Sequence, residues 1–205
     1  MDINRFIQKV KLIPTLKTKR LTLRPLSKSD QSAMVDAIMS DMDVMRWLPY
    51  SDAVSTFEGQ QEVALGYIND FIKPWDTLGF GVWAICIGDT ELGPVGTFIG
   101  YCGFLPEQIE GSGPEIAYAM RKSMWTKGLV TEALTACLDW IFIKPEIHFV
   151  HAVTDRENFA SRRVMEKIGM RHEKDVDLYG SVAKGNGLLP FYYIDREVYI
   201  RNRPD

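Results

Sequence analysis

The feature that most constrains this chain is a change of hydrophobic period. From Gly79 onward apolar residues recur every second position through three consecutive runs, "GFGVWAICIGD" (79–89), "LGPVGTFIGYCGFLP" (92–106) and "GPEIAYAMR" (113–121). Period two marks strands, and runs this close pair as neighbours with antiparallel connections. The spacing predicts a tight turn at Gly88-Asp89. On either side the period returns to that of a helix. Before the runs, Ser27 or Ser29 caps a helix with Ala33, Met34, Ala37 and Ile38 on one face, and a second helix spans about 55–72 and stops at Pro74. After them, "MWTKGLVTEALTACLDWIF" (124–142) places Val130, Ala133, Leu134, Cys137, Trp140 and Ile141 on one face of a helix from Thr126 to about Ile143.

The remaining elements complete the pattern. "RLTLRPL" (20–26) is a first strand and "HFVHAVTD" (148–155) a buried one. "NFASRRVMEKIGM" (158–170) is a helix with Asn158 at its cap and Gly169 at its stop. A short strand fits 171–178, "GSVAKGNGLLP" (180–190) is a loop, and "FYYIDREVYIRN" (191–202) is a closing strand. The order β-α-α-β-β-β-α-β-α-β-β predicts an α+β chain with a central, mostly antiparallel sheet flanked by helices. The length of 205 residues fits one domain.

Composition narrows the classes of function. Net charge is −3 with a pI near 5.7, which argues against a nucleic-acid-binding surface. No run of about 18 apolar residues suggests a membrane span. The start "MDINRFIQKVKLIP" lacks the apolar core and cleavage site of a secretory signal. Cys86, Cys102 and Cys137 are odd in number, lack CxxC spacing and lie in apolar runs, so they read as buried free thiols in a reducing compartment. A cytoplasmic protein is expected. His148 and His151 lie three apart on a strand, on opposite faces, and His172 stands alone, so no metal site is expected.

The start of the 126–143 helix carries the sharpest chemical question. It follows a strand directly and opens at Lys127-Gly128. First-turn N–H groups and the positive end of the helix dipole suit a pyrophosphate. Gly128 permits close approach, Lys127 adds a cation and Thr131 a hydroxyl one turn in. The competing reading is that Gly128 simply relaxes a tight strand-to-helix turn. The segment matches neither GxxxxGK[ST] nor GxGxxG, so a P-loop or dinucleotide fold is not indicated.

"PEIAYAMRKSMWTKGLVTEAL" resembles the strand-and-helix core of the GNAT N-acetyltransferases, especially the ribosomal-protein N-terminal acetyltransferases that act on alanine or serine ends. "NFASRRVMEKIGM" resembles that subgroup's N-x-x-S-x-x-(V/L)-x-x-K-x-G-(F/M) helix, and "TKRLTLRPL" its first strand. The resemblance spans about 18–200. It implies the GNAT fold and acetyl-CoA as acetyl donor, with no metal. It implies a pyrophosphate on the turn formed by Trp125, Thr126, Lys127, Gly128, Leu129, Val130 and Thr131, where Val130 replaces the usual Gly or Ala. It implies pantetheine pairing along Tyr118, Ala119, Met120 and Arg121, and further cofactor contacts from Asn158 and Ser161.

The same resemblance gives Glu115 as general base and a backbone N–H near Met120 as donor to the developing oxyanion. Many relatives carry a tyrosine seven residues after the cap asparagine; here that position is Met165, and Ser161 is the substitute donor to the leaving thiolate. With no covalent nucleophile in view, direct transfer in a ternary complex is expected. The acceptor is a small-molecule or peptide amine, held between "DMDVMRWLPYSD" and the 180–190 loop. There Trp47 and Tyr50 line a pocket, and Asp41, Asp43 and Asp52 face an ammonium, or else the loop is solvated with its aromatics packed inward. Dimers are common in the family, which leaves a homodimer open. A non-catalytic acyl-CoA-binding module with the same fold is the alternative to an enzyme.

Overall fold

A computed structural model describes residues 13–178 and 187–203. Its strands are β1 (Leu16–Lys17), β2 (Leu21–Pro25), β3 (Val82–Ile87), β4 (Phe98–Leu105), β5 (Glu115–Met120), β6 (Phe149–Val153), β7 (Arg171–Asp177) and β8 (Leu188–Asp195). Its helices are α1 (Gln31–Met34), α2 (Met42–Met45), α3 (Phe57–Thr77), α4 (Leu129–Ile141), α5 (Phe159–Lys167) and α6 (Arg196–Asn202). α1 runs on as a π-helical turn, Val35–Met39.

Among the described residues the strands form one eight-stranded sheet in the order β1-β2-β3-β4-β5-β6-β8-β7. All pairings are antiparallel except β5–β6. That parallel pair has a single registered partner, Glu115 with His151. Beyond it the two strands part.

Each face of the sheet carries its own core, as the alternation of side chains requires. One face sends Trp83, Ile85, Cys102, Phe104, Ile116, Met120, Val150 and Ala152 against Leu134, Cys137, Leu138 and Ile141 of α4. The other sends Ala84, Cys86, Tyr101 and Ala119 against Met34, Ile38, Ala64, Ile68 and Phe71 from α1, the π turn after it and α3. Trp125 packs against both.

Three sequence expectations change. The helix expected to stop at Pro74 continues through it to Thr77. An interior proline removes a helix bond, at about 3 kcal/mol. Trp75 beyond it is buried edge-on against Trp83 and Trp140, at 4.6 and 5.4 Å between ring centres, and its Nε1 donates to the Val82 carbonyl at 3.3 Å. That burial outweighs the lost bond.

Gly88-Asp89 is no tight hairpin turn. Gly88 N–H donates to the Arg20 carbonyl at 2.8 Å, and a Cβ on Gly88 would lie 2.9 Å from Leu21 backbone, so this glycine serves close passage beside β2. Asp89 then caps a 3-10 turn, Thr90–Leu92, before β4 begins at Phe98. The closing strand ends at Asp195, and Arg196–Asn202 is helix. Arg196 bonds the carbonyls of His148 through its N–H and Phe142 through Nε, both at 2.8 Å, which turns the chain off the sheet. The expected 180–190 loop lies mostly outside the described residues.

Candidate active site

The parted strands β5 and β6 make a cleft, and the ladder's geometry says what lines it. Arg121 N–H donates to the Ile99 carbonyl at 2.8 Å, on the β4 side. In an antiparallel ladder these groups alternate edges. The backbone groups of Tyr118 and Met120 therefore face away from β4, toward β6. The Met120 carbonyl accepts from Trp125 Nε1 at 2.7 Å. The Tyr118 backbone and the Met120 N–H remain as a polar edge against which an extended amide-bearing chain can lie.

Side-chain alternation splits the site between the faces. Ile116, Tyr118 and Met120 point to the α4–α5 face. Glu115, Ala117 and Ala119 therefore point to the face of α1 and α3, where the short alanines leave room. Glu115 is buried, and its carboxylate lies 3.9 Å from His151 Nε2.

On the α4–α5 face, Tyr118 Oη lies 2.6 Å from Ser161 Oγ and 3.2 Å from the Ser161 carbonyl oxygen, and its one proton can serve either acceptor. Asn158 caps α5, its side chain accepting from Ser161 N–H at 3.1 Å. The structure thus brings together three residues singled out in the sequence: Tyr118, Asn158 and Ser161. Burial pushes the Tyr118 hydroxyl up far above its ordinary range, an effect that the Ser161 bond only partly offsets. It is a neutral donor at any physiological pH. Met165, on the buried side of α5, is 1% exposed and belongs to the core.

At the α4 start, Gly128 is the N-cap with φ of 74°, and no side chain caps the helix. Left-handed backbone explains why glycine stands there. Tight space does not, since a Cβ would meet only Arg20 Nη2, at 3.8 Å. Thr126 also has positive φ, 63°, an uncommon conformation for a β-branched residue. Thr126, Lys127 and Gly128 are exposed, Leu129 is buried, and Val130 packs onto the α4 core with its side chain turned inward. The open first turn, with Thr131 beside it, can hold an anion on its free N–H groups. The turn is anchored by Arg20, whose Nη1 donates to the Lys127 carbonyl at 3.0 Å and whose Nε meets Glu132 at 2.7 Å. Thr18 and the Arg20 N–H also bond Glu132, and these partners outweigh burial and hold its carboxyl below the usual range.

The acceptor side departs more from expectation. Asp43 is bonded to Lys122, and Asp41 caps α2 by accepting from Asp43 N–H at 2.9 Å. Two of the three carboxylates proposed for an ammonium therefore tie α2 to itself and to the turn after β5. Asp52 is exposed. Trp47 is half-buried with Arg46 over its ring at 4.6 Å. Tyr50 is 67% exposed and sits edge-on to Tyr67 at 6.3 Å. Arg121 turns to Asp36 on the π turn after α1. Arg121 Nη2 and Lys122 Nζ are thus engaged by carboxylates of the helical layer, while Arg121 Nε is buried without a hydrogen-bond partner. Among the described residues, no group of three or more metal-ligating side chains converges, and no helix is long and apolar enough to cross a membrane.

Sequence reasoning missed His151 as a partner of Glu115 and the Tyr118 side chain as a partner of Ser161. The period-two pattern placed both residues on their faces, but nothing in it set the distance across the parting strands.

A mostly antiparallel sheet opened between two parallel strands, with an uncapped helix start at the opening, is the architecture of an acyl-CoA-dependent acyltransferase. Residues 20–171 match the acetyltransferase (GNAT) domain, and the chain belongs to that family. It is 33% identical to the uncharacterized protein YkkB of Bacillus subtilis over 78% of this chain and 87% of YkkB. It is 29% identical to the uncharacterized N-acetyltransferase YnaD of the same organism, over 86% of this chain and 92% of YnaD. The fold superposes with a TM-score of 0.67 on RimL, a ribosomal L7/L12 alpha-N-protein acetyltransferase solved with coenzyme A, at 16% identity, covering 90% of this chain and 99% of RimL. GNAT enzymes use acetyl-CoA, and the chain is an acetyltransferase of this class.

Proposed function

We propose that the chain, from about residue 18 to 200, is one N-acetyltransferase domain that moves an acetyl group from acetyl-CoA to a primary amine by direct transfer in a ternary complex. The acceptor is a protein N-terminus or a small-molecule amine. The observation that carries this reading is the division of the cleft: Glu115 on one face of the sheet, Tyr118 and Ser161 on the other, and a polar strand edge between them.

Each group then has one task. The first turn of α4, with Gly128 and Thr131, holds the donor's pyrophosphate, and Asn158 and Ser161 contact the donor from α5. The backbone of Tyr118 and Met120 aligns its amide-bearing arm, which places the thioester between the faces. Glu115 takes a proton from the incoming amine. The Met120 N–H faces the charge that develops on the carbonyl oxygen. Ser161 Oγ, accepting the Tyr118 hydrogen bond across the 2.6 Å contact, turns its own proton toward the leaving sulfur. The thioester is activated already, so the protein mainly positions and deprotonates. We assign Tyr50 and Trp47 to the acceptor's entry; the support is that Tyr50 packs on Tyr67, whose ring meets Tyr101 on the same sheet face as Glu115.

Isothermal titration of acetyl-CoA into the wild type, Gly128→Glu and Thr131→Glu tests the donor site. Thr131→Glu adds the charge without the backbone strain that any side chain meets at residue 128. Micromolar-range binding lost in both variants supports the reading. No binding by the wild type overturns it. Release of free coenzyme A thiol with alanyl peptides, seryl peptides and spermidine then distinguishes the acceptor classes.

A further inference from the structure

His151 is a fully buried titratable side chain that the reaction above leaves without a task. It sits on β6 at the one residue pair that joins β6 to β5. Its backbone N–H donates to the Pro114 carbonyl at 3.0 Å. Its ring Nδ1 lies 3.0 Å from the Ser112 carbonyl oxygen, which can only accept, so Nδ1 carries the proton. The Ser112–Pro114 loop is held in place by Gly113, with φ of 67° and no room for a Cβ, which would fall 2.3 Å from the Phe149 carbonyl oxygen. Phe191 stacks on the ring at 5.2 Å and 15°.

The other nitrogen, Nε2, is buried, has no hydrogen-bond partner, and points to Glu115 Oε2 at 3.9 Å. Burial holds the imidazole below its ordinary pKa, against the opposing pull of the Ser112 and Gly113 backbone and the Glu107 charge. The ring is therefore neutral and Nε2 presents a lone pair. The groups that face it are Glu115 from β5, Glu107 and Ser112 from the β4–β5 connection, and Phe191 and Tyr193 from β8. A lone pair and an ionised carboxylate cannot bond, which fits the 3.9 Å gap. A lone pair and a protonated carboxyl can.

We propose that His151 is a positioning residue for Glu115: Ser112 fixes its ring so that Nε2 becomes the acceptor for the Glu115 carboxyl once that carboxyl has gained a proton. This rests on Glu115 being the base. The proton leaves the amine nitrogen, binds Glu115 Oε2, and is shared with His151 Nε2 until it returns to solvent. The neutral ring thereby strengthens the base, and the two groups titrate as a pair.

The direct test is NMR of the full chain carrying labelled histidine, with signals assigned through His148→Gln and His172→Gln. The expected result is the Nδ1–H tautomer at His151 and a protonation midpoint that falls by about half a pH unit or more in Glu115→Gln, because the carboxylate that favours imidazolium is gone. An Nε2–H tautomer, or a midpoint the same in both proteins, including a ring neutral at every pH in both, overturns the inference. His151→Asn supplies the second arm, since its amide can still donate to Ser112. A purely structural histidine is rescued by this change. A positioning histidine is not: the acid limb of kcat/KM against pH, read by coenzyme A release with the alanyl, seryl and spermidine acceptors, moves to lower pH while Tm holds. An unmoved limb overturns the inference. Undiminished release by Glu115→Gln overturns the base reading itself, whereas lost release beside an uncoupled His151 overturns only the pairing.

Discussion

Tyr118 Oη and Ser161 Oγ meet at 2.6 Å, joining β5 to the first turn of α5 across the opening of the sheet. The bond gives the serine hydroxyl a fixed direction. Tyr118→Phe removes it without emptying the space. Its expected effect is a fall in kcat of about tenfold or more with acetyl-CoA affinity nearly unchanged. Ser161→Ala should fall similarly, and the double variant should be little worse than either single one, because the two act as a unit. Additive losses in thiol release would separate them.

Gly128→Ala places a side chain at a φ of 74° where space is open. The cost is backbone strain, about 1–2 kcal/mol of stability by urea unfolding. A neutral outcome would mean that the turn relaxes to a right-handed conformation.

Asp30 sits in a nearly closed setting, 5% exposed, with its carboxylate on Arg24 Nη1 at 2.9 Å and on Ser27 N–H at 2.9 Å. Burial would raise its pKa, but the bonds from Arg24 and Ser27 win and hold it below its ordinary value. A folded-state pKa depressed in this way contributes stability that is fully present above the unfolded value, near 3.9, and is lost as pH falls through the folded one. Asp30→Asn should cost about 1–3 kcal/mol at neutral pH and flatten the stability profile below about pH 4. Thermal melts from pH 3 to 7 check both parts.

Glu132 binds Thr18 and Arg20, so the β1–β2 turn braces the start of α4. Glu132→Gln should weaken acetyl-CoA binding severalfold while costing about 1 kcal/mol of stability. Unchanged affinity by titration would show that the helix start holds its shape without the brace.

Cys102 and Cys137 are both fully buried, with sulfurs 3.6 Å apart between β4 and α4. Burial raises the Cys137 thiol well above its usual pKa, and Cys86 is raised for the same reason. Native protein should react negligibly with a thiol reagent and yield three equivalents once unfolded. Fast reaction of the native state would mean that the α4 packing opens.

Much of this fold was legible because the apolar period is clear. "EIAYAM" alternates cleanly, and that alternation places Glu115 and Tyr118 on opposite faces. Asn158 and Gly169 bound α5 as their residue types require. The failures share a cause. Pro74 and Asp195 sit where local rules and tertiary contacts disagree, and the Trp75 and Arg196 contacts that decide them come from distant chain segments. The face proposed for the acceptor was least legible, because a sequence shows Asp41 and Asp43 as charges and not as the bonds they already make. The Glu115–His151 approach is invisible for the same reason: 36 positions apart, they meet only because two strands touch once.

Trp125 lies where the two interiors of the molecule touch, with its indole on the Met120 carbonyl and its backbone entering the turn before α4. An indole in that place is a built-in optical reporter. Its emission depends on the polarity and dipoles around it, so filling the cleft alters the protein's own light without any label. Titrations followed this way would test whether acetyl-CoA fills that opening, with Trp125→Phe as the control that keeps the emission of Trp47, Trp75, Trp83 and Trp140 and loses only the Trp125 share.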